Sequence, residues 1–349
     1  MKITYHFFQD LPHWINELED PRNPSYITYT QADLVWMGVL KNICSVLTMR
    51  SMEEQFNEDE CIRTLKLLSG DQNLEEMPHC DTLNYYLEKL SPACLSNLRK
   101  QMVKKLIQNK SFYKGRLLGK YWRVILDGTG LYYFKEKHCE NCLVTKIDQK
   151  DGKTQTRYYH KVLEAKLMFS DRIVISLGTE FIENEEETVT KNDCELNAAR
   201  RLLDQIKKEY PRLPICIQGD ALYAAGSIMR LCREKNWKYI LTQKEMRQPL
   251  LAESYEWIKQ GDGAEKFKGI GKEKGTGNFA NHVEKTAGKE EAADMYEYRY
   301  EEVNQKGKKT EHRFQWITNI DLTKRNLEEM VYNVPYKVDT SRRRDCLKC

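Results

Sequence analysis

Two aspartates in this chain stand where phosphoryl chemistry could use them. Asp127 ends the apolar run Trp122-Arg123-Val124-Ile125-Leu126, and Asp220 follows Ile215-Cys216-Ile217-Gln218-Gly219. Each run is rich in β-branched residues and predicts a buried strand, and each aspartate has a glycine beside it, Gly128 or Gly219. In an α/β sheet the crevice beyond the strand C-termini is the preferred ligand site. Two carboxylates converging there repel unless a cation lies between them. Mg²⁺ (or Mn²⁺) meets that need, because it takes one or two carboxylates together with waters and phosphate oxygens. A pair of such ions would activate a water or a 3′-hydroxyl and stabilise the leaving oxygen at phosphorus. Strand-end aspartates also form turns and cap helices, and the residues alone leave that use open.

A second constellation is His138-Cys139-Glu140-Asn141-Cys142. Thiolates at the spacing of Cys139 and Cys142 can grip one zinc ion from a tight knuckle, and tetrahedral closure needs two more ligands. His138, His160 and Cys194 are available for that, while free packed thiols are the alternative. The eleven cysteines are odd in number and irregularly spaced, which argues against a disulfide framework and for a reducing, cytoplasmic setting.

The net charge of +4 is mild, but its distribution is not. Residues 53–60 hold five acids in eight positions, whereas Arg99 to Arg123 holds nine basic residues and no acid. Lys100, Lys104, Lys105, Lys110 and Arg116 are therefore candidate DNA-phosphate contacts. A solvated helix face with acidic neighbours in space explains the same stretch equally well. With 20 Tyr, 10 Phe and 6 Trp spread along 349 residues, the chain is not disordered. No apolar run approaches the ~20 residues of a bilayer helix, so no membrane partner is expected.

The elements that must position these residues fall into two parts. Residues 1–115 read as helices: one capped by Thr30 and running to Ile43, one opened by a Ser51-x-x-Glu54 capping box, one opened by Asp81, and one from Ser91-Pro92 through Ile107. Short helices joined by tight turns suit a DNA-binding domain or a generic bundle. Residues 116–349 alternate strands and helices. Strands are predicted at Trp122–Leu126, Val162–Phe169, Ile173–Leu177, Ile215–Gln218 and Tyr239–Leu241, with helices from Asp193 to Ile206 and around Ile228–Cys232. That pattern predicts an α/β domain with a partly parallel sheet. The glycine- and lysine-rich stretch 259–290 reads as a loop-rich insertion or linker. A β-hairpin, formed by Tyr296–Tyr300 and Arg313–Ile317, is expected beyond it.

Several segments, taken in order, resemble the DDE transposases of bacterial insertion sequences. They are Met77-Pro78-His79-Cys80-Asp81-Thr82-Leu83, Leu126-Asp127-Gly128-Thr129-Gly130, Asp193-Cys194-Glu195-Leu196-Asn197-Ala198-Ala199, Tyr210-Pro211-Arg212-Leu213-Pro214, Gly219-Asp220-Ala221-Leu222-Tyr223-Ala224 and Trp316-Ile317-Thr318-Asn319. The resemblance implies an RNase H-like mixed-sheet core with a β-rich insertion at about 245–318. It implies Asp127 and Asp220 as the first two members of an acidic triad that binds Mg²⁺. The partners would be double-stranded DNA, both transposon ends and target, and a second copy of the chain in a synaptic complex.

The family's third acid is a glutamate on a late helix, in a stretch resembling Arg-Trp-Lys-Ile-Glu-Asn-Glu. Here the resemblance stops near Asn326–Asn333, and the tail from Val334 to Cys349 has no glutamate and no helical period. The tail reads as cut short or shifted out of frame. The third acid is therefore expected to be missing, with Glu328 and Glu329 as possible substitutes. Two functions follow from this: an Mg²⁺-dependent transposase, either intact or inactivated by truncation, or a non-catalytic remnant that occupies transposon ends.

Overall fold

The computed structural model describes residues 6–110, 112–148, 152, 154–170, 173–184, 193–244, 247–269, 275–284, 292–303 and 307–333. The tail read as truncated, Val334 to Cys349, lies outside them. The chain divides into two compact units, with the boundary between Ser111 and Phe112.

The first unit is helical: α1 (Leu11–Asn16), α2 (Gln31–Ile43), α3 (Met49–Phe56), α4 (Asp59–Ser69), α5 (Cys80–Lys89) and α6 (Pro92–Gln108). The Thr30 hydroxyl accepts from the Asp33 N–H at 3.2 Å, and the Asp33 carboxylate accepts from the Thr30 N–H at 2.9 Å. That reciprocal box satisfies two otherwise orphaned donors and starts α2 where expected. The box expected at Ser51 does not form, because the cap of α3 is Thr48, whose hydroxyl accepts from Ser51 N–H at 3.0 Å. Ser51 already lies inside the helix. Likewise His79, not Asp81, caps α5, its Nδ1 accepting from the Asp81 N–H. Gly70 stops α4 at φ +83°, a conformation that costs a residue with a Cβ about 1 kcal/mol or more. Leu34, Met37, Met52, Leu65, Leu83 and Tyr86 are fully buried and form the centre of this unit's core.

The second unit carries a ten-stranded mixed sheet. In chain order its elements are β1 (Trp122–Phe134), β2 (Leu143–Asp148), β3 (Thr154–Met168), β4 (Val174–Ile182), α7 (Glu195–Glu209), β5 (Ile215–Gly219), α8 (Gly226–Glu234) and β6 (Lys238–Thr242). Then follow α9 (Pro249–Gln260), β7 (Glu265–Lys268), β8 (Thr276–Val283), β9 (Ala293–Val303), β10 (Lys309–Thr318) and α10 (Lys324–Asn333). The strand order is β2-β3-β1-β5-β6-β10-β9-β8-β7, with β4 on β3. β1 is antiparallel to β3 and parallel to β5, and β5 is parallel to β6. Helices therefore bridge the parallel strands, as crossovers of that kind require.

Residues 259–290 are not all linker. β7 and β8 lie within them and pair with each other, and β8 pairs with β9, so the insertion extends the main sheet. Glycine does not break β8 because Gly277 faces the Phe267 ring and the Glu297 carbonyl at distances that exclude a side chain. No helix among the described residues is long and apolar enough to cross a membrane.

Candidate active site and metal centre

Asp127 lies within β1, five residues from its start, and Asp220 follows β5 directly. In the parallel ladder Trp122 pairs with Ile215 and Ile125 with Gln218. Continuing that register by two residues sets Asp127 level with Asp220 on neighbouring strands. Asp127 stands two residues beyond Ile125 and Asp220 two beyond its partner Gln218, so an extended chain would put both on the face of that pair. On the other side of β1, Asp127 pairs with Glu164 of β3 across the antiparallel ladder. Directly opposed residues share a face, so Glu164 and Asp127 are neighbours on it, while Asp220 stands in the turn after β5, its Oδ1 accepting from the Leu222 N–H at 2.9 Å. The Glu164 carboxylate accepts hydroxyl hydrogen bonds from Ser176, at 2.9 Å, and from Thr179. On the same face Gln218 is 2% exposed, and neither atom of its amide has a hydrogen-bond partner among the described residues.

A fourth carboxylate, Glu195 in the first turn of α7, approaches from the opposite face. It lies over Gly128, where a Cβ would come within 2.5 Å of Glu195 Oε2. The missing side chain at Gly128 is what admits it. Tyr223 donates its hydroxyl to Glu195 Oε2 at 2.8 Å, and Lys161 on β3 forms an ion pair with Oε1. Burial drives the Tyr223 hydroxyl far above the usual range, reinforced by the charges of Glu195, Asp220 and Asp127 and by the hydrogen bond to Glu195. Three carboxylates therefore impose their field on one phenol. They do not close on a single point: no metal-ligand trio among the described residues that includes them has its atoms within 4.8 Å of one another. Glu195 was visible in the sequence only as part of a motif; its role depends on the packing of α7 over β1.

The proposed substitutes for a third acid lie elsewhere. Glu329 Oε1 accepts from the Leu118 N–H at 2.5 Å, before the first residue of β1. Asp127 is five residues farther along that strand, or roughly 17 Å at the rise of an extended chain. Glu328 lines an open groove of about 890 Å³ with Lys259, Lys266, Lys268, Arg299 and Lys324. That second cluster of cations was not foreseen.

The acid-free basic stretch does not form one surface element. Lys100 and Lys104 lie four residues apart on α6, and Lys110 follows its end, whereas Arg116 belongs to the second unit and stacks on Tyr113. Lys105 pairs with Asp10 at 3.1 Å, an acid brought in by α1. Of the five residues proposed to contact phosphate, Lys105 is thus already neutralised.

The Cys-x-x-Cys knuckle lies in the loop between β1 and β2. Cys139 and Cys142 sulfurs are 3.7 Å apart, and His160 Nε2 on β3 is 3.4 Å from each. His138 instead stacks on Phe134, and exposed Cys194 stands at the N-terminal boundary of α7, so neither joins the group.

No family model matches the sequence, and no curated protein does. Among solved structures the chain is similar to piggyBac transposase in the cryo-EM structure of its synaptic complex with hairpin DNA. The TM-score is 0.38 at 10% identity, over 97% of this chain and 66% of that one. The chain thus spans just under two thirds of that protein, and a likeness this distant does not decide a function.

Proposed function

We propose that this chain is a DDE-type DNA transposase that carries out metal-dependent phosphoryl transfer on duplex DNA from an RNase H-like core. The observation that carries the reading is that Asp127 lies on β1 and Asp220 directly after β5, the parallel strand paired with β1. Three antiparallel strands followed by two parallel ones, in the order β4-β3-β1-β5-β6, support the core assignment. The chemistry of Asp127 and Asp220 suits a hard divalent cation, since carboxylate oxygens are the donors such an ion takes. Asp127 and Asp220 would hold it. When bound, Mg²⁺ or Mn²⁺ supplies charge neutralisation and Lewis acidity at the scissile phosphate.

Glu195 is the third carboxylate in this reading, in place of the acid expected to be missing. Lys161 and Tyr223 orient it, one by charge and one by a directed hydrogen bond. The rival reading, a chain that occupies DNA ends without cutting, drew its support from a missing acid, and Glu195 supplies one.

Nicking of supercoiled plasmid in Mn²⁺ and Mn²⁺ binding by electron paramagnetic resonance test the proposal together. Asp127→Asn, Asp220→Asn and Glu195→Gln should each abolish nicking, and the two aspartate variants should also lose Mn²⁺ affinity. Glu328→Gln should retain both. Full nicking by Asp127→Asn, or loss confined to Glu328→Gln, overturns the assignment.

A further inference from the structure

We infer that Cys139, Cys142 and His160 bind one zinc ion, which clips the β1–β2 loop to β3. The geometry carries this. Zinc–sulfur bonds of about 2.3 Å and zinc–nitrogen bonds of about 2.0 Å at tetrahedral angles set the sulfurs about 3.8 Å apart and each sulfur about 3.5 Å from the nitrogen. The observed 3.7, 3.4 and 3.4 Å reproduce three edges of that tetrahedron. Three potential ligands from two separate segments, 18 residues apart at the nearest, meet at one point. A disulfide would need the sulfurs at about 2.05 Å, so this spacing is not a bridge. Two soft thiolates and an imidazole select zinc over the hard cation argued for Asp127 and Asp220.

Binding converts two thiols to thiolates and releases two protons, and the neutral imidazole donates its Nε2 lone pair. Among the described residues three side chains meet here, and one further donor would complete the tetrahedron. Cys142 is buried and Cys139 exposed, so one wall of the site is fixed and the other faces solvent.

The surroundings show what the clip would hold. The Cys142 carbonyl accepts from Asn184 Nδ2 at 3.1 Å, and the Asn141 carbonyl accepts from the Asn184 N–H at 3.3 Å. Asn184 Oδ1 in turn accepts from the Asp193 N–H, two residues before Glu195. His160 is followed directly by Lys161, the partner of Glu195. The ion thus braces both segments that deliver Glu195 and Lys161. This inference does not rest on the proposed catalysis, and its readouts are independent of DNA.

The test uses the full chain, purified under reducing conditions. Elemental analysis should find one zinc per chain. Replacement by Co²⁺ should give thiolate-to-metal charge-transfer absorption in the near ultraviolet and the intense visible bands of a tetrahedral ion. Cys139→Ser removes an exposed ligand and spares the buried one, so it should fold, and His160→Gln keeps the strand residue similar in size. Each should weaken zinc binding by more than the ~10–100-fold that loss of an outer-shell partner costs. Circular dichroism checks that both fold. His138→Gln and Cys194→Ser should leave affinity unchanged. Folded wild-type chain that binds neither zinc nor Co²⁺, or folded ligand variants with unaltered affinity, overturns the proposal.

Discussion

A single methyl group at position 128 separates the fold from its proposed chemistry. In Gly128→Ala the new Cβ would sit within 2.5–2.7 Å of the Glu195 carboxylate. That carboxylate ends a flexible side chain, so it can swing away and the strand need not move. The expected destabilisation is about 1–3 kcal/mol, because the displaced carboxylate leaves the buried Tyr223 hydroxyl without its acceptor. Glu195 would lose its place over β1 and its hydrogen bond from Tyr223. Nicking by the variant should therefore fall by at least ~10²-fold, the scale of a ~1 Å misplacement, while the chain stays folded and its chemical-denaturation midpoint drops only modestly. Equal activity in wild type and variant would remove Glu195 from the site. Asp127 and Asp220 were legible because local chain chemistry marks them: an apolar run, an acid, a glycine. Glu195 and Lys161 carry no such local mark. They are joined by a helix packing on a sheet 34 residues away in sequence, and that spacing has no periodic signature.

At the scale of elements, Glu297 on β9 ties α9 to the inserted strands. Its side chain is fully buried and accepts from Arg299 at 2.6 Å, Arg313 at 2.7 Å, Gln315 at 2.8 Å and Lys259 of α9 at 3.1 Å. Burial alone would raise its pKa, but these hydrogen bonds outweigh it and take the carboxyl from 4.5 down to about 2. A group depressed on folding adds stability above its unfolded pKa and loses it as pH falls through the folded one. A depression of that size corresponds to on the order of 3 kcal/mol at neutral pH. Glu297→Gln leaves three cations with no buried anion, and should cost about 3 kcal/mol. The low end of that range applies because Arg299 and Arg313 are 42% and 45% exposed. Urea denaturation should show a constant gap between wild type and variant at neutral pH, narrowing as pH falls below about 4.5 toward 2. A gap that stays constant through the acid range would sink this account. The alternation at Tyr296–Tyr300 and Arg313–Ile317 disclosed β9 and β10 from sequence. β7 and β8 stayed hidden because the stretch 259–290 around them is rich in glycine and lysine like a loop, and only the pairing of β7 with β8 and of β8 with β9 makes them strands.

For the whole molecule, the question is where phosphate charge is neutralised. A chain that binds duplex DNA releases condensed counterions, and its log affinity falls with log salt by about 0.9 for each phosphate contacted. Lys100 and Lys104 share a stripe of α6, and Lys110 is exposed just beyond it. If all three contact phosphates, replacing them together with glutamine should flatten the slope by up to about 2.7. Lys105 differs, because Asp10 already balances its charge at 3.1 Å. Lys105→Gln should therefore change the slope by much less than 0.9, although it stands in the middle of the same run of sequence. The sequence nominates Lys100, Lys104, Lys105, Lys110 and Arg116 on equal terms, whereas the folded chain makes them unequal. Filter-binding titrations on one duplex across a range of salt concentrations measure each slope directly. An unchanged slope in the triple variant removes α6 from the interface and shifts attention to Lys266 and Lys268 in the groove of the inserted strands. A full unit lost with Lys105→Gln alone would mean that DNA displaces Asp10.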